Sequence, residues 1–144
     1  MILPDLNLLL YAYNPFAGQH ESARRWWESA LRSGEIIGLP HEISLGFVRI
    51  ATHQRLGAAS IPLAAAKQVV LAWHAHPSTR VLLPDEDHAT QVISLMERAG
   101  ASGALTSDAS LAVHAIENRA TLYSNDADFA RFPGLVWLNP LAQG

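Results

Sequence analysis

Five carboxylates in this chain stand where side-chain oxygens can be gathered at one place. Asp5 ends a short apolar run, Ile2-Leu3-Pro4. Asp126 follows a second, Thr121-Leu122-Tyr123, by way of Ser124 and Asn125, and Asp128 trails it by two. Glu42 and Asp108 each open a helix-like segment. Surface acids ordinarily scatter over helix faces. These stand at strand exits and helix starts, and open α/β sheets place ligand sites in the crevice beyond the carboxyl ends of their strands. Acids gathered there repel one another unless protons or a cation neutralise them. An oxygen-only cluster suits Mg²⁺ or Mn²⁺, and the chemistry it points to is metal-dependent phosphodiester hydrolysis.

Each acid alone also has an ordinary structural reading. Asp before a helix is a common N-cap, which fits Asp5 and Asp108, and a first-turn Glu complements the helix dipole, which fits Glu42. Asn7, a second oxygen donor two residues on, tips Asp5 toward chemistry. Ile43 and Phe47 mark the core face of the Glu42 helix and let Glu42 point at the rim of the sheet. Asn125, Asp126 and Asp128 put three polar groups directly after a strand, with Phe129 to anchor the loop beneath them. Arg49, two turns beyond Glu42, either reaches a substrate phosphate or pairs with an acid.

The elements that must position these residues follow from periodicity. Apolar residues at i, i+3, i+4 and i+7 predict helices through Ala23/Trp26/Trp27/Ala30, Ile43/Gly46/Phe47/Ile50, Ala66/Val69/Val70/Trp73 and Ala89/Val92/Ile93/Met96. A shorter one covers Ala109 to Asn118. Pro62 suits a first helical turn, Asp85 or Asp87 a cap, and Gly34, Gly57 and Gly100 helix ends. Between them fall β-prone runs: Ile2-Leu3, Ile36 to Leu39, Arg80 to Leu83, Thr121 to Tyr123 and Leu135 to Leu138. Alternating strands and helices predict a three-layer α/β/α domain with a mostly parallel central sheet of four to five strands.

The whole length, 1–144, reads as a single domain, with no repeat or linker. Hydrophobic residues make up 49% and charged residues 16%, which excludes a disordered chain. The absence of cysteine removes disulfides, thiolate metal sites and cysteine nucleophiles, and fits a reducing cytoplasm. The apolar stretch Leu6 to Ala12 has no basic flank or cleavage pattern, and no run reaches the ~18–20 apolar residues of a bilayer span. A soluble protein with no membrane partner is expected. The net charge of −3 is unusual for a nucleic-acid binder, but bound divalent cations would offset the clustered acids. Nine of the ten basic residues are Arg, the better fork for phosphate oxygens.

The ordered set of residues resembles the PIN-domain ribonucleases, most closely the VapC toxins of bacterial toxin–antitoxin pairs. The likeness runs from Asp5-Leu6-Asn7 with Leu10-Tyr11-Ala12, through His20, the Trp26-Trp27 helix, Glu42 and Gly46-Phe47-Val48-Arg49-Ile50 with Thr52. It continues in Leu105-Thr106-Ser107-Asp108-Ala109 and Ser124-Asn125-Asp126-Ala127-Asp128-Phe129-Ala130-Arg131-Phe132, and ends in Trp137-Leu138-Asn139-Pro140. The family's four acidic positions fall on Asp5, Glu42, Asp108 and Asp126, with Asp128 a frequent fifth. The resemblance implies catalytic roles for the first four and metal ligation by Asp5, Asp108, Asp126 and Asp128. Asn7, Thr106, Ser124, Asn125 and Arg49 are the candidates for positioning substrate or ligands. It further implies an endoribonuclease using Mg²⁺, with Mn²⁺ as substitute, and cutting structured RNA (tRNA or rRNA) by metal-activated water. A homodimer and an antitoxin that blocks the site complete the expectation.

Other residues are discounted. The seven histidines show no zinc spacing, Asp85-Glu86-Asp87 reads as a solvated cap, and Trp26, Trp27 and Trp73 read as core or dimer contacts. Two alternatives stay open: another Mg²⁺-dependent phosphate hydrolase, and a catalytically inactive PIN protein that binds RNA or antitoxin. A haloacid-dehalogenase-like phosphatase would need Asp where Asn7 stands, together with a suitably placed lysine, and the sole lysine is Lys67.

Overall fold

The structure, a computed structural model, describes residues 1–142, so residues 143 and 144 of the expected domain lie outside the described residues. Five short strands form one sheet: β1 (Ile2–Pro4), β2 (Ile37–Pro40), β3 (Thr79–Leu82), β4 (Thr121–Tyr123) and β5 (Val136–Leu138). Their order is β3-β2-β1-β4-β5, and every pairing is parallel. Helices α1 (Leu6–Ala12), α2 (His20–Arg32), α3 (His41–Ala51), α4 (Leu63–Ala75), α5 (His88–Ala99) and α6 (Thr106–Glu117) supply the crossovers and outer layers. Among the described residues, no helix is long and apolar enough to cross a membrane.

Burial explains the strand order. Every residue of β1 and β2 is buried, whereas β3 exposes Arg80 and Val81 and β5 exposes Val136 and Leu138. Parallel strands covered on both faces read as continuous apolar runs, and only edges tolerate solvent. The chain runs outward from β1 to β3, then returns to the other side of β1 as β4. That reversal leaves a crevice at the carboxyl ends of β1 and β4, the topological switch point of a doubly wound sheet.

Helix α1 is the element that periodicity did not predict. Leu6 to Ala12 is nearly all apolar, so it shows no helical face, and the helix is declared only by the Asp5 cap at its start. It lies against α2 and α3. A Cβ on Gly46 of α3 would stand 2.7 Å from Leu6 Cδ2, so the bare glycine allows α1 and α3 to approach this closely. Pro62 occupies the cap position of α4 rather than its first turn. Gly100 ends α5 at φ 62°, a left-handed backbone that glycine adopts without a Cβ clash. Trp27 and Trp73 are buried, and both donate to the Tyr13 hydroxyl, at 3.3 and 2.9 Å. They are core residues. Trp26 is half-buried against Tyr123.

Candidate active site at the carboxyl edge of the sheet

Asp5 stands one residue beyond β1 and divides its oxygens between two tasks. Oδ1 accepts from the Leu6 amide at 2.7 Å and caps α1, while Oδ2 accepts from Ser124 Oγ at 2.7 Å. The cap and the site use different oxygens of one carboxylate. Ser124 is fully buried, and its Oγ also accepts from the Asp126 amide at 3.0 Å. One hydroxyl therefore ties the exit of β1 to the turn after β4. Asp126 Oδ1 accepts from the Asp128 amide at 2.9 Å, which starts the 3₁₀ segment Ala127–Arg131 over fully buried Phe129.

Asp108 lies in the first turn of α6; Leu105 holds the cap position. Its carboxyl is pushed up to about 6, by burial first and then by the charges of Asp5, Asp126 and Asp128. Asp5 is also raised, mainly by burial, with Asp126 adding and the Ser124 and Leu6 hydrogen bonds opposing. The four aspartates drawn from three chain segments thus form one electrostatic unit. Asp5 and Asp108 share a cleft of about 370 Å³ with Glu42, Ser107, Gly46 and Arg49. Arg49 is exposed and makes no salt bridge among the described residues, which leaves it free to meet an anion.

The remaining candidates divide. Asn7 Oδ1 is buried without a hydrogen-bond partner. Thr106 Oγ1 donates to the Gly103 carbonyl at 2.7 Å, and Asn125 Oδ1 accepts from Asn139 at 3.1 Å, so both already serve local structure. Glu42, in the first turn of α3, is raised by burial, with Ser110 and His88 opposing.

Sequence reasoning set the histidines aside, yet two of them stand behind Glu42. Ser110 Oγ lies 3.2 Å from Glu42 Oε1 and 2.9 Å from His88 Nε2, and His114 Nε2 lies 3.4 Å from the same Glu42 oxygen. No zinc-type spacing could have revealed them, because they arrive from α5 and α6. The available signal was Ser110 and His114 at i and i+4 on one face of α6. A separate group, Asp85, Asp87 and Glu117, brings carboxylate oxygens within 4.8 Å of one another, but all three are exposed to water. Asp87 takes the cap position of α5 without a side-chain cap bond and instead accepts from Gln91 at 2.7 Å.

The aspartate set fits a hard divalent cation. Its donors are all oxygens, two of its carboxyls are raised partly by their neighbours' charge, and the Asn7 oxygen in the first turn after Asp5 is unpaired.

Comparison with known proteins bears on this arrangement. The family model described as "PIN domain" matches residues 2–135. The chain belongs to the PIN-domain family. It is 39% identical over 143 residues to Ribonuclease VapC33 of Mycobacterium tuberculosis, covering 99% of this chain and 100% of that one. The solved structure of Mycobacterium tuberculosis VapC20, described as a sarcin–ricin loop cleaving toxin, superposes with a TM-score of 0.70 at 16% identity. It covers 94% of this chain and 99% of that one. VapBC2 from Rickettsia felis, solved bound to a DNA fragment from its promoter, gives 0.67 at 20% identity, covering 96% and 98%. The two structures share the fold, and the relationship to VapC33 spans essentially the whole PIN chain.

Proposed function

We propose that this PIN-domain chain is a metal-dependent endoribonuclease, the toxin of a VapC-type toxin–antitoxin pair, acting on phosphodiester bonds of structured RNA such as tRNA or rRNA. The observation that carries the reading is the Ser124–Asp5 hydrogen bond at 2.7 Å, because it joins the acids of β1 and β4 beside Asp108. Full-length similarity to a ribonuclease supports the activity. The VapC relationship supports an antitoxin partner, a homodimer and a cytoplasmic setting.

Asp5, Asp108, Asp126 and Asp128 would hold Mg²⁺ or Mn²⁺, which supplies Lewis-acid activation of water and charge compensation at phosphorus. The chain's own contribution is preorganisation. Ser124 and the Leu6 amide fix Asp5, and the Asp128 amide fixes Asp126, so two of the four carboxylates are held in place before an ion would arrive. Glu42, which lines the same cleft as Asp5, would accept a proton or a hydrogen bond from the attacking water. Arg49 offers a forked cation to a phosphate at the rim.

The test is cleavage of tRNA and rRNA by the purified chain with Mg²⁺, against the same assay in EDTA. Cleavage that requires the ion and leaves 5′-phosphate and 3′-hydroxyl ends supports the reading. No cleavage with Mg²⁺ or Mn²⁺ would favour the RNA- or antitoxin-binding alternative.

A further inference from the structure

Behind the cleft, two side chains of α6 reach a single oxygen of Glu42, and a third, from α5, stands behind one of them. Ser110 Oγ is 3.2 Å from Oε1, His114 Nε2 is 3.4 Å from it, and His88 Nε2 is 2.9 Å from Ser110 Oγ. The two imidazoles are packed ring against ring, with centroids 4.6 Å apart. His114 is 3% exposed, and its buried Nδ1 has no hydrogen-bond partner; His88 is half-buried, but its Nδ1 is likewise buried and unpartnered.

Donor counting fixes the wiring. A serine hydroxyl has one proton, and if it goes to Glu42 the other contact of Ser110 must come from a donor. His88 Nε2 must then carry its proton and give it to Ser110 Oγ. A buried N–H without an acceptor is costly, so the unpartnered Nδ1 atoms are the natural places for bare lone pairs. The same assignment puts an N–H on His114 Nε2, facing Glu42. One neutral tautomer for both rings is compatible with these contacts, and burial first, with the charge of His88 adding, holds His114 down to about 4, consistent with a neutral ring.

We infer that His88, Ser110 and His114 are positioning residues for Glu42, with both rings protonated at Nε2, donating along His88→Ser110→Glu42 and from His114, so that Oε1 is fixed and Oε2 is left to the cleft. The inference rests on the nuclease reading only for what Glu42 is positioned to do. None of the three side chains touches the reacting atoms. Their effect is to remove the rotational freedom of a Glu side chain that is otherwise 36% exposed.

Two measurements on the full-length protein test this. Long-range ¹H–¹⁵N spectra of the metal-free protein near neutral pH, assigned with His88→Gln and His114→Gln, should show both rings as the Nε2–H tautomer. A proton on Nδ1 in either ring, or a charged imidazolium, would overturn the wiring. In the RNA cleavage assay, Ser110→Ala should lower kcat by about tenfold with KM unchanged, the scale at which groups behind a reactive side chain act. Ser110→Thr, which keeps the hydroxyl, should hold the wild-type kcat; His114→Gln, which keeps a donor, should hold it too, whereas His114→Leu should lose it. Equal kcat in wild type and Ser110→Ala would sink the positioning role, and so would a loss that Ser110→Thr fails to restore. A wild type that cleaves nothing would instead strike the nuclease reading, with the spectra still deciding the tautomers.

Discussion

Ser124 Oγ and Asp5 Oδ2 are 2.7 Å apart although 119 residues separate them in the chain. The contact exists because β4 inserts beside β1, in register from Ile2 with Thr121 to Pro4 with Tyr123. Asp5 N also donates to the Tyr123 carbonyl at 2.8 Å, so backbone and side chain bind the two exits together.

Ser124→Ala should therefore damage both fold and site. Removing one partner of a buried hydrogen bond costs about 1–3 kcal/mol, and Asp5 loses a bond that holds its carboxyl down. Denaturant unfolding should show the loss of stability, and RNA cleavage should fall about tenfold or more. Wild-type values for both would mean that Ser124 does not organise Asp5.

The second expectation concerns pH in the absence of metal. Asp108 rises from 3.8 to about 6 in the folded chain, so between those values the folded state holds more protons than the unfolded state. Its contribution to stability is full below pH 3.8 and is lost as pH climbs through about 6. His114, lowered from 6.5 to about 4, has the opposite sign: its contribution is present above 6.5 and lost as pH falls through about 4. Comparing melting temperatures isolates the aspartate. Asp108→Asn should gain on wild type as pH rises through 6, and a constant difference across that window would contradict the shift.

Divalent cations should reverse this penalty. On the proposed reading Mn²⁺ or Mg²⁺ would bind the assembled carboxylates and not the unfolded chain, so the melting temperature should rise with ion concentration. The rise should disappear in Asp5→Ala, while the metal-free stability of that variant falls by the loss of the α1 cap, about 1 kcal/mol, and of the Ser124 hydrogen bond, about 1–3 kcal/mol, less the repulsion relieved from Asp108 and Asp126. Calorimetry on both proteins, with and without ion, decides it. An unchanged rise in Asp5→Ala would remove Asp5 from the ion site.

Asp126 and Asp128 should differ in kind. Asn at 126 still offers Oδ1 to the Asp128 amide, so Asp126→Asn keeps the turn and loses only charge. It should be inactive at every Mn²⁺ concentration. Asp128 is exposed and farther along the turn, so Asp128→Asn should weaken cleavage by about 10–100-fold and recover partly at high Mn²⁺. A Mn²⁺ titration of both variants is the measurement, and the reverse pattern would exchange their roles.

Much of this arrangement could be read from the sequence, and the gaps have physical causes. The places of Asp5, Glu42, Asp108 and Asp126 in the fold were legible because strand exits and helix starts are marked by local composition. The helix α1 was not, because Leu6 to Ala12 is buried on too many sides to show a period. Strand limits shifted by a residue, as with Thr79–Leu82 against the expected Arg80 to Leu83, since short edge strands have weak patterns. The Glu42 network was invisible: Ser110 and Glu42 are 68 residues apart, and only packing of α3 near α6 brings them together.

The strand order has a bearing on how the protein comes into being. Chains emerge from the ribosome N-terminus first, and Asp5 and Glu42 are made long before the segment that carries Ser124 and Asp126. The central strand must wait, one flank bare, for β4 to arrive beside it. Until then Asp5 lacks its serine, and the carboxylate set is incomplete. A product that stops before β4 thus lacks both Asp126 and the Ser124 hydroxyl that holds Asp5, and the site proposed for the ion would be assembled only when β4 and β5 join the sheet.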